Sequence, residues 1–164
     1  MPAPISAVIA TRDAAQTLPG CAAALIEGLS EGLLRELVVS DGGSSDATLA
    51  IAAALGAVVV EGAGADREAR LARGVAAARG AWLLILPPEI RLPPGWSALA
   101  EAHMAAAPGQ AGYFARAGRG AVAALADRWP RRFVPSCADR ALLLPRDGLP
   151  APGRRVRAIP MRAA

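Results

Sequence analysis

Across residues 5–86 the sequence alternates short runs of bulky apolar residues with longer alanine-rich stretches, and this alternation constrains the fold more than any other feature. Runs such as LVVS, AVVV and WLLIL are apolar at consecutive positions, not at every second one. A strand of that kind has no face to show to water, so it must be covered on both sides, as happens where helices cross between parallel strands. The runs predict strands at residues 5–10, 37–41, 57–61 and 82–86, and the stretches between and after them predict helices at 17–29, 47–55, 67–79 and 95–106. The expected class is α/β, an open and mostly parallel sheet with helices on both faces. Ser45 or Asp46 is placed to cap the second helix, and Gly56 to end it in a left-handed conformation. Pro87, Pro88, Pro93 and Pro94 make a loop directly after the fourth strand.

Beyond Pro108 the alternation weakens. Strands at 112–115 and 141–144 and a short helix at 121–128 are expected, without regular spacing. From Arg146 onward the chain is rich in proline, glycine and arginine with little to bury, which predicts an irregular tail. With 164 residues, 54% of them hydrophobic, the chain can bury one sizeable core; the expected organisation is one domain over 1–149 and a tail over 150–164, the C-terminal part being shortened or irregular.

Composition removes several classes of chemistry. All 18 basic residues are arginine, so Schiff-base lysines and the P-loop lysine are excluded. Arginine does suit phosphate, because its planar fork meets two oxygens at once. His103 is the sole histidine and cannot build a multi-histidine metal site. Cys21 and Cys137 lie far apart and read as two buried thiols, not as a disulfide scaffold. No apolar run reaches a membrane-spanning length and the start lacks a signal-peptide pattern, so a cytosolic protein without a transmembrane segment is expected. The net charge of +4 permits nucleic acid, but six aromatics with no basic–aromatic repeat argue against it.

In an open parallel sheet, ligands bind outside the carboxyl ends of the strands, near the point where strand order reverses. That rule selects Thr11-Arg12-Asp13, then Asp41-Gly42-Gly43-Ser44-Ser45-Asp46, then Glu61-Gly62-Ala63-Gly64, and finally Pro87-Pro88-Glu89. In the second of these an acid closes a strand, glycines let backbone approach a ligand, and serines donate from a helix start. An ordinary glycine turn with capping Ser and Asp explains the same residues. No G-x-G-x-x-G follows the first strand, which argues against a dinucleotide-dependent dehydrogenase. TRDAAQT in that place is also not the glycine-rich basic loop of a sugar nucleotidyltransferase.

Taken in order, ISAVIATRDAAQTLPGCAAAL, LRELVVSDGGSSDATLAIAAALGAVVV, REARLARGVAAARGAWLLIL and RLPPGW resemble the successive blocks of the family 2 glycosyltransferases. The closest similarity is to short bacterial members associated with radical-SAM and selenoprotein-type domains. The resemblance covers residues 4–97 well and continues faintly, through GYFA and ADRALLLPRDGL, to about residue 149. It implies a Rossmann-like GT-A nucleotide-diphospho-sugar transferase fold, a UDP- or GDP-linked sugar donor, an acceptor the sequence does not name, and a divalent metal, Mg2+ or Mn2+. Homodimerisation is left open.

The resemblance also implies residue roles. Thr11 and Asp13 line the nucleotide pocket, Asp13 standing where asparagine is usual. Asp41 faces the base, and Gly43, Ser44 and Asp46 complete that wall. Arg67 and Arg70 approach the base and phosphates, with a solvated helix face the competing reading for each. Two departures stand out. Where the subgroup carries an acidic metal-binding phrase such as LHADT, this chain reads Leu86-Pro87-Pro88-Glu89-Ile90, leaving Glu89 as the single carboxylate for a metal. Where the family supplies its general base from a phrase like PLMED, it reads Ile159-Pro160-Met161-Arg162, so no catalytic base is identified. The expected function is sugar transfer from a nucleotide donor; the alternative is a non-catalytic relative that keeps the nucleotide pocket as a binding or partner protein.

Overall fold

The computed structural model describes residues 3–63, 66–114, 141–148 and 158–161. Among these, seven strands form one sheet: β1 (Ile5–Thr11), β2 (Leu34–Asp41), β3 (Val58–Glu61), β4 (Trp82–Leu86), β5 (Ala111–Phe114), β6 (Leu142–Pro145) and β7 (Ala158–Met161). Their spatial order is β3-β2-β1-β4-β6-β5-β7. β1 pairs parallel with β2 and β4, β2 with β3, and β5 with β7, whereas β6 runs antiparallel to both of its neighbours. The helices are α1 (Leu18–Ala23), α2 (Ile26–Ser30), α3 (Thr48–Ala54), α4 (Arg67–Ala77) and α5 (Trp96–Ala106), followed by a short 3-10 turn at Arg146–Gly148.

The runs in β1, β2 and β4 do what their pattern demands, whereas β3, expected to be covered on both sides, lies at the sheet edge with Val58 exposed and Val59 and Val60 half-buried. Ile5, Ala7, Ile9, Val39, Leu84 and Leu86 point to one side, where they meet Leu18 and Cys21 of α1, Ala52 of α3, and Trp96 and Ala100 of α5. Val8, Val38, Leu83 and Ile85 point to the other side and pack against Leu71 and Val75 of α4. The expected α/β architecture with helices on both faces is therefore present. Gly74 lets α4 lie close to the sheet, since a Cβ there would stand 2.7 Å from Val8 Cγ1. α4 starts on an aspartate that was not foreseen as its cap: the Asp66 carboxylate accepts from the amides of Glu68 (3.1 Å) and Ala69 (3.3 Å). Asp66→Ala should cost about 1 kcal/mol, and a thermal melt should show it as a fall of about 2–4 °C.

The single helix expected over 17–29 is two. The indole N–H of Trp96 donates to the Ala24 carbonyl at 2.7 Å, an acceptor that a continuous helix would offer to the Gly28 amide. α1 ends at Ala23, α2 begins at Ile26, and Gly28 sits so tightly under Trp96 that a Cβ would lie 2.5 Å from its ring. α3 begins one residue later than expected, with Ala47 as its N-cap and no side-chain cap bond; Asp46 accepts instead from the Thr48 amide at 2.9 Å. Gly56 does end α3 with a φ of +68°.

The later strands, expected at 112–115 and 141–144, occupy 111–114 and 142–145. Within the stretch expected to be irregular, Ala158–Met161 forms β7 and continues the sheet beyond β5. Its partners come from residues 111–114, a long-range pairing that local composition does not signal. The helix expected at 121–128 and Cys137 lie outside the described residues. His103 is buried, with Nε2 2.9 Å from the Gln110 carbonyl and its ring edge-on to Trp82, which makes it part of the core. Among the described residues no helix is long and apolar enough to cross a membrane.

Candidate functional site

The chain leaves β1 towards β2 on one side, while β4 lies on the other, so the order of connection reverses between β1 and β4. Register aligns the strand exits: Thr11 pairs with Asp41, Asp41 with Glu61, and Ile9 with Leu86. The loops after β1, β2, β3 and β4 therefore emerge at one end of the sheet, where a doubly wound fold places its ligand.

Asp41 organises this end. Its side chain is fully buried, at 0% exposure, and both oxygens are occupied. Oδ1 accepts from the Thr11 hydroxyl (2.8 Å) and the Ser44 hydroxyl (2.6 Å), and Oδ2 from the amides of Gly43 (2.9 Å) and Ser44 (2.7 Å). A carboxylate has about four acceptor directions, so none is left for a base pressed against the loop. Asp41, which the resemblance places facing the base, here shapes the DGGSSD loop from beneath. Burial alone would push its pKa up. The Ser44 hydroxyl and amide, the Thr11 hydroxyl and the Gly43 amide outweigh burial and hold the carboxyl below the ordinary aspartate range. Gly43 makes its bond from a φ of +88°, a conformation costly for most other residues.

A second layer clasps the β1 and β2 exit loops together. The Asp13 amide donates to Ser44 Oγ (2.8 Å), and Asp13 Oδ1 accepts from the Ser45 amide (2.8 Å) and hydroxyl (3.2 Å). The Ala15 amide donates to Asp46 Oδ2 (3.0 Å), and the Ala14 amide to Thr48 Oγ1 (2.8 Å). The hydrogen bonds from Thr48 and from the Ala15 amide hold the Asp46 carboxyl below its ordinary value. Asp13 has a φ of +51°, which aspartate and asparagine tolerate better than most residues. That suits the asparagine expected at this position. Thr11, Asp13, Asp41, Gly43, Ser44 and Asp46 thus form one connected network, with Thr11 and Asp41 at its buried base and Asp13, Gly43 and Asp46 exposed at its rim.

Arg67 and Arg70 occupy the first turns of α4, on the other face of the sheet from α1 and α3 but at the same end. Arg70 is 8% exposed, so it is not on a solvated helix face, whereas Arg67 is half-buried. Sequence reasoning missed Arg73. Its Nη2 donates to the carbonyls of Gly62 (2.9 Å) and Asp41 (3.3 Å), tying the exits of β2 and β3 to α4. The available signal was its place in the same helix as Arg67 and Arg70 and directly before Gly74, the point where α4 touches the sheet.

At the exit of β4, Pro87 and Pro88 are buried and Glu89 is exposed. Cys21 of α1 donates to the Pro87 carbonyl at 3.7 Å, which fixes this loop to α1. Burial, and next the nearby charge of Glu89, push the Cys21 thiol up to about 12, so it is no thiolate nucleophile at neutral pH. Among the described residues no three His, Cys, Asp or Glu side chains converge as a metal cluster. Glu89 stands as one exposed carboxylate, which fits a metal only if other ligands arrive with a diphosphate.

The family model described as glycosyl transferase family 2 matches residues 6–110. No curated protein matches the sequence. Among solved structures, the chain is similar to glucosyl-3-phosphoglycerate synthase from Mycobacterium tuberculosis in complex with phosphoglyceric acid, with a TM-score of 0.65 and 22% identity, over 88% of this chain and 57% of that one. The same enzyme in complex with Mn2+, uridine diphosphate and glucosyl-3-phosphoglycerate gives 0.63 and 23%, over 88% and 57%. Mannosyl-3-phosphoglycerate synthase from Rubrobacter xylanophilus gives 0.62 and 22%, over 88% and 53%. The chain thus spans a little over half the length of these structures, and the likeness is one of fold.

Proposed function

Because the chain belongs to glycosyl transferase family 2, we propose that it binds a UDP- or GDP-linked sugar at the exits of β1, β2 and β4 and transfers the sugar to an acceptor. The observation that carries this reading is the connected network from Thr11 through Asp41 and Ser44 to Asp13, which fixes two exit loops beside the switch point. In this proposal Asp13, Gly43, Ser44 and Asp46 form the wall that meets the nucleoside, Thr11 and Asp41 hold that wall in shape, and Arg67 and Arg70 face the phosphates. The quoted sequence blocks support placing the chain with the short bacterial members of the family.

A similar solved structure contains Mn2+ together with uridine diphosphate. In this chain Glu89 would hold such an ion jointly with the donor's phosphates, and the ion would supply positive charge to the departing diphosphate. Glu89→Ala should therefore remove the increment in nucleotide-induced stabilisation that Mn2+ adds, leaving the metal-free part intact. An unchanged Mn2+ increment would remove Glu89 from the metal site.

One observation favours a second reading, a nucleotide-binding relative without turnover: β7 presents Ile159-Pro160-Met161, followed by Arg162, where an acidic pair is usual in the family. A thermal-shift panel of UDP, GDP, CDP and dTDP, with and without Mn2+, tests both readings. A ligand held at about 100 times its Kd stabilises the folded chain by about 2.7 kcal/mol, a shift that is readily measured. The proposal expects one base to be preferred and the matching nucleotide sugar to release its nucleoside diphosphate. Binding without release selects the second reading, and no binding by any of the four overturns both.

A further inference from the structure

We infer that Arg91 binds the diphosphate of the donor directly, so that nucleoside diphosphates are held without a divalent ion. This rests on the reading just given and names the group that meets the phosphates at the β4 exit. The loop after β4 carries a single carboxylate, Glu89, and no metal-ligating cluster occurs among the described residues. Two residues further on, the Arg91 side chain is exposed and lies flat against α1: a Cβ at Gly20 would stand 2.7 Å from its Nη2 and 2.9 Å from its Nε. Gly20 is thus the bare backbone on which the guanidinium rests. Its neighbour Cys21 bonds the Pro87 carbonyl and feels the charge of Glu89, so Arg91, Glu89 and α1 belong to one patch beside the β1–β4 switch point.

Among the described residues Arg91 makes no ion pair, although Glu89 is near in sequence. A cation placed beside a strand exit, with its fork uncommitted, suits a pair of phosphate oxygens. A metal would need two or more carboxylates or the substrate itself to stay. The fixed charge of a guanidinium needs neither.

The test compares UDP and uridine binding to the full chain by calorimetry, in EDTA and in Mn2+, with the thermal-shift panel supplying the preferred base if it is not uracil. The wild-type chain should bind the diphosphate in EDTA. Arg91→Ala should weaken that binding about 10- to 100-fold, as expected for charge-assisted hydrogen bonds, and leave the nucleoside alone unchanged; Arg91→Lys should recover part of the loss. Gly20→Ala keeps the charge but displaces the guanidinium, and should weaken diphosphate binding several-fold in a chain that folds normally. Wild-type binding that requires Mn2+, or an Arg91→Ala variant that binds the diphosphate in EDTA as the wild type does, overturns this inference and leaves the donor site standing. Failure of the wild-type chain to bind any nucleoside diphosphate under either condition overturns the donor site itself.

Discussion

Asp41→Ala is expected to destabilise the chain by about 3–4 kcal/mol, because two amides and two hydroxyls lose their acceptor at a fully buried position. For a domain of this size that corresponds to a fall in Tm of about 6–16 °C. The same substitution should abolish nucleotide-induced stabilisation even at temperatures where the variant is folded, since the DGGSSD loop would lose what shapes it. Asp41→Asn, which keeps the volume but turns an amino group towards donors, should cost about half as much. The acid limb of stability follows from the same site. The folded carboxyl lies below the ordinary 3.8, so its contribution is complete above that value and is lost as pH falls through the lower, folded value. Glu36, held down by Ser6 and Arg79 against the opposing effect of burial, adds to this limb with the same sign. Chemical denaturation from pH 6 down to pH 2 should therefore show stability falling, with a shallower fall in Asp41→Asn. A wild-type chain whose stability rises on acidification would contradict the assignment.

Trp96→Ala is expected to cost about 3–5 kcal/mol. The ring is 0% exposed, meets Phe114 edge-on at 6.3 Å, covers Gly28 and donates to Ala24, so one side chain joins α1, α2, α5 and β5. Trp96→Phe keeps most of the volume but leaves the Ala24 carbonyl without its donor, and should cost about 1–2 kcal/mol. Urea titration should show both losses in the midpoint with little change in slope. A loss below about 1 kcal/mol for alanine would mean that the break between α1 and α2 does not depend on this contact.

The parts of the fold that were legible are those decided by neighbours in sequence. LVV and WLLIL have no polar face, so a strand covered on both sides is their available solution, and Gly56 ends α3 through its own backbone freedom. Features decided by distant residues were not legible. The α1–α2 break depends on a tryptophan 72 positions away, and β7 depends on pairing with β5. The site divides in the same way. Loop chemistry picked out Asp13, Asp41, Ser44 and Asp46, and the structure brings them together. That Asp41 would have no acceptor left was hidden, because one of its four donors is Thr11 on the neighbouring strand. Arg73 was hidden for a similar reason: its partners are backbone carbonyls, which carry no sequence signature.

The most direct test of the donor site is an amide 15N–1H correlation spectrum titrated with the preferred nucleoside diphosphate in the presence of Mg2+. The account predicts that the largest shifts fall on Asp13, Gly43, Ser44 and Ser45, with the β3 and α5 amides nearly still. Shifts spread evenly over the sheet, or concentrated away from the exits of β1, β2 and β4, would contradict it.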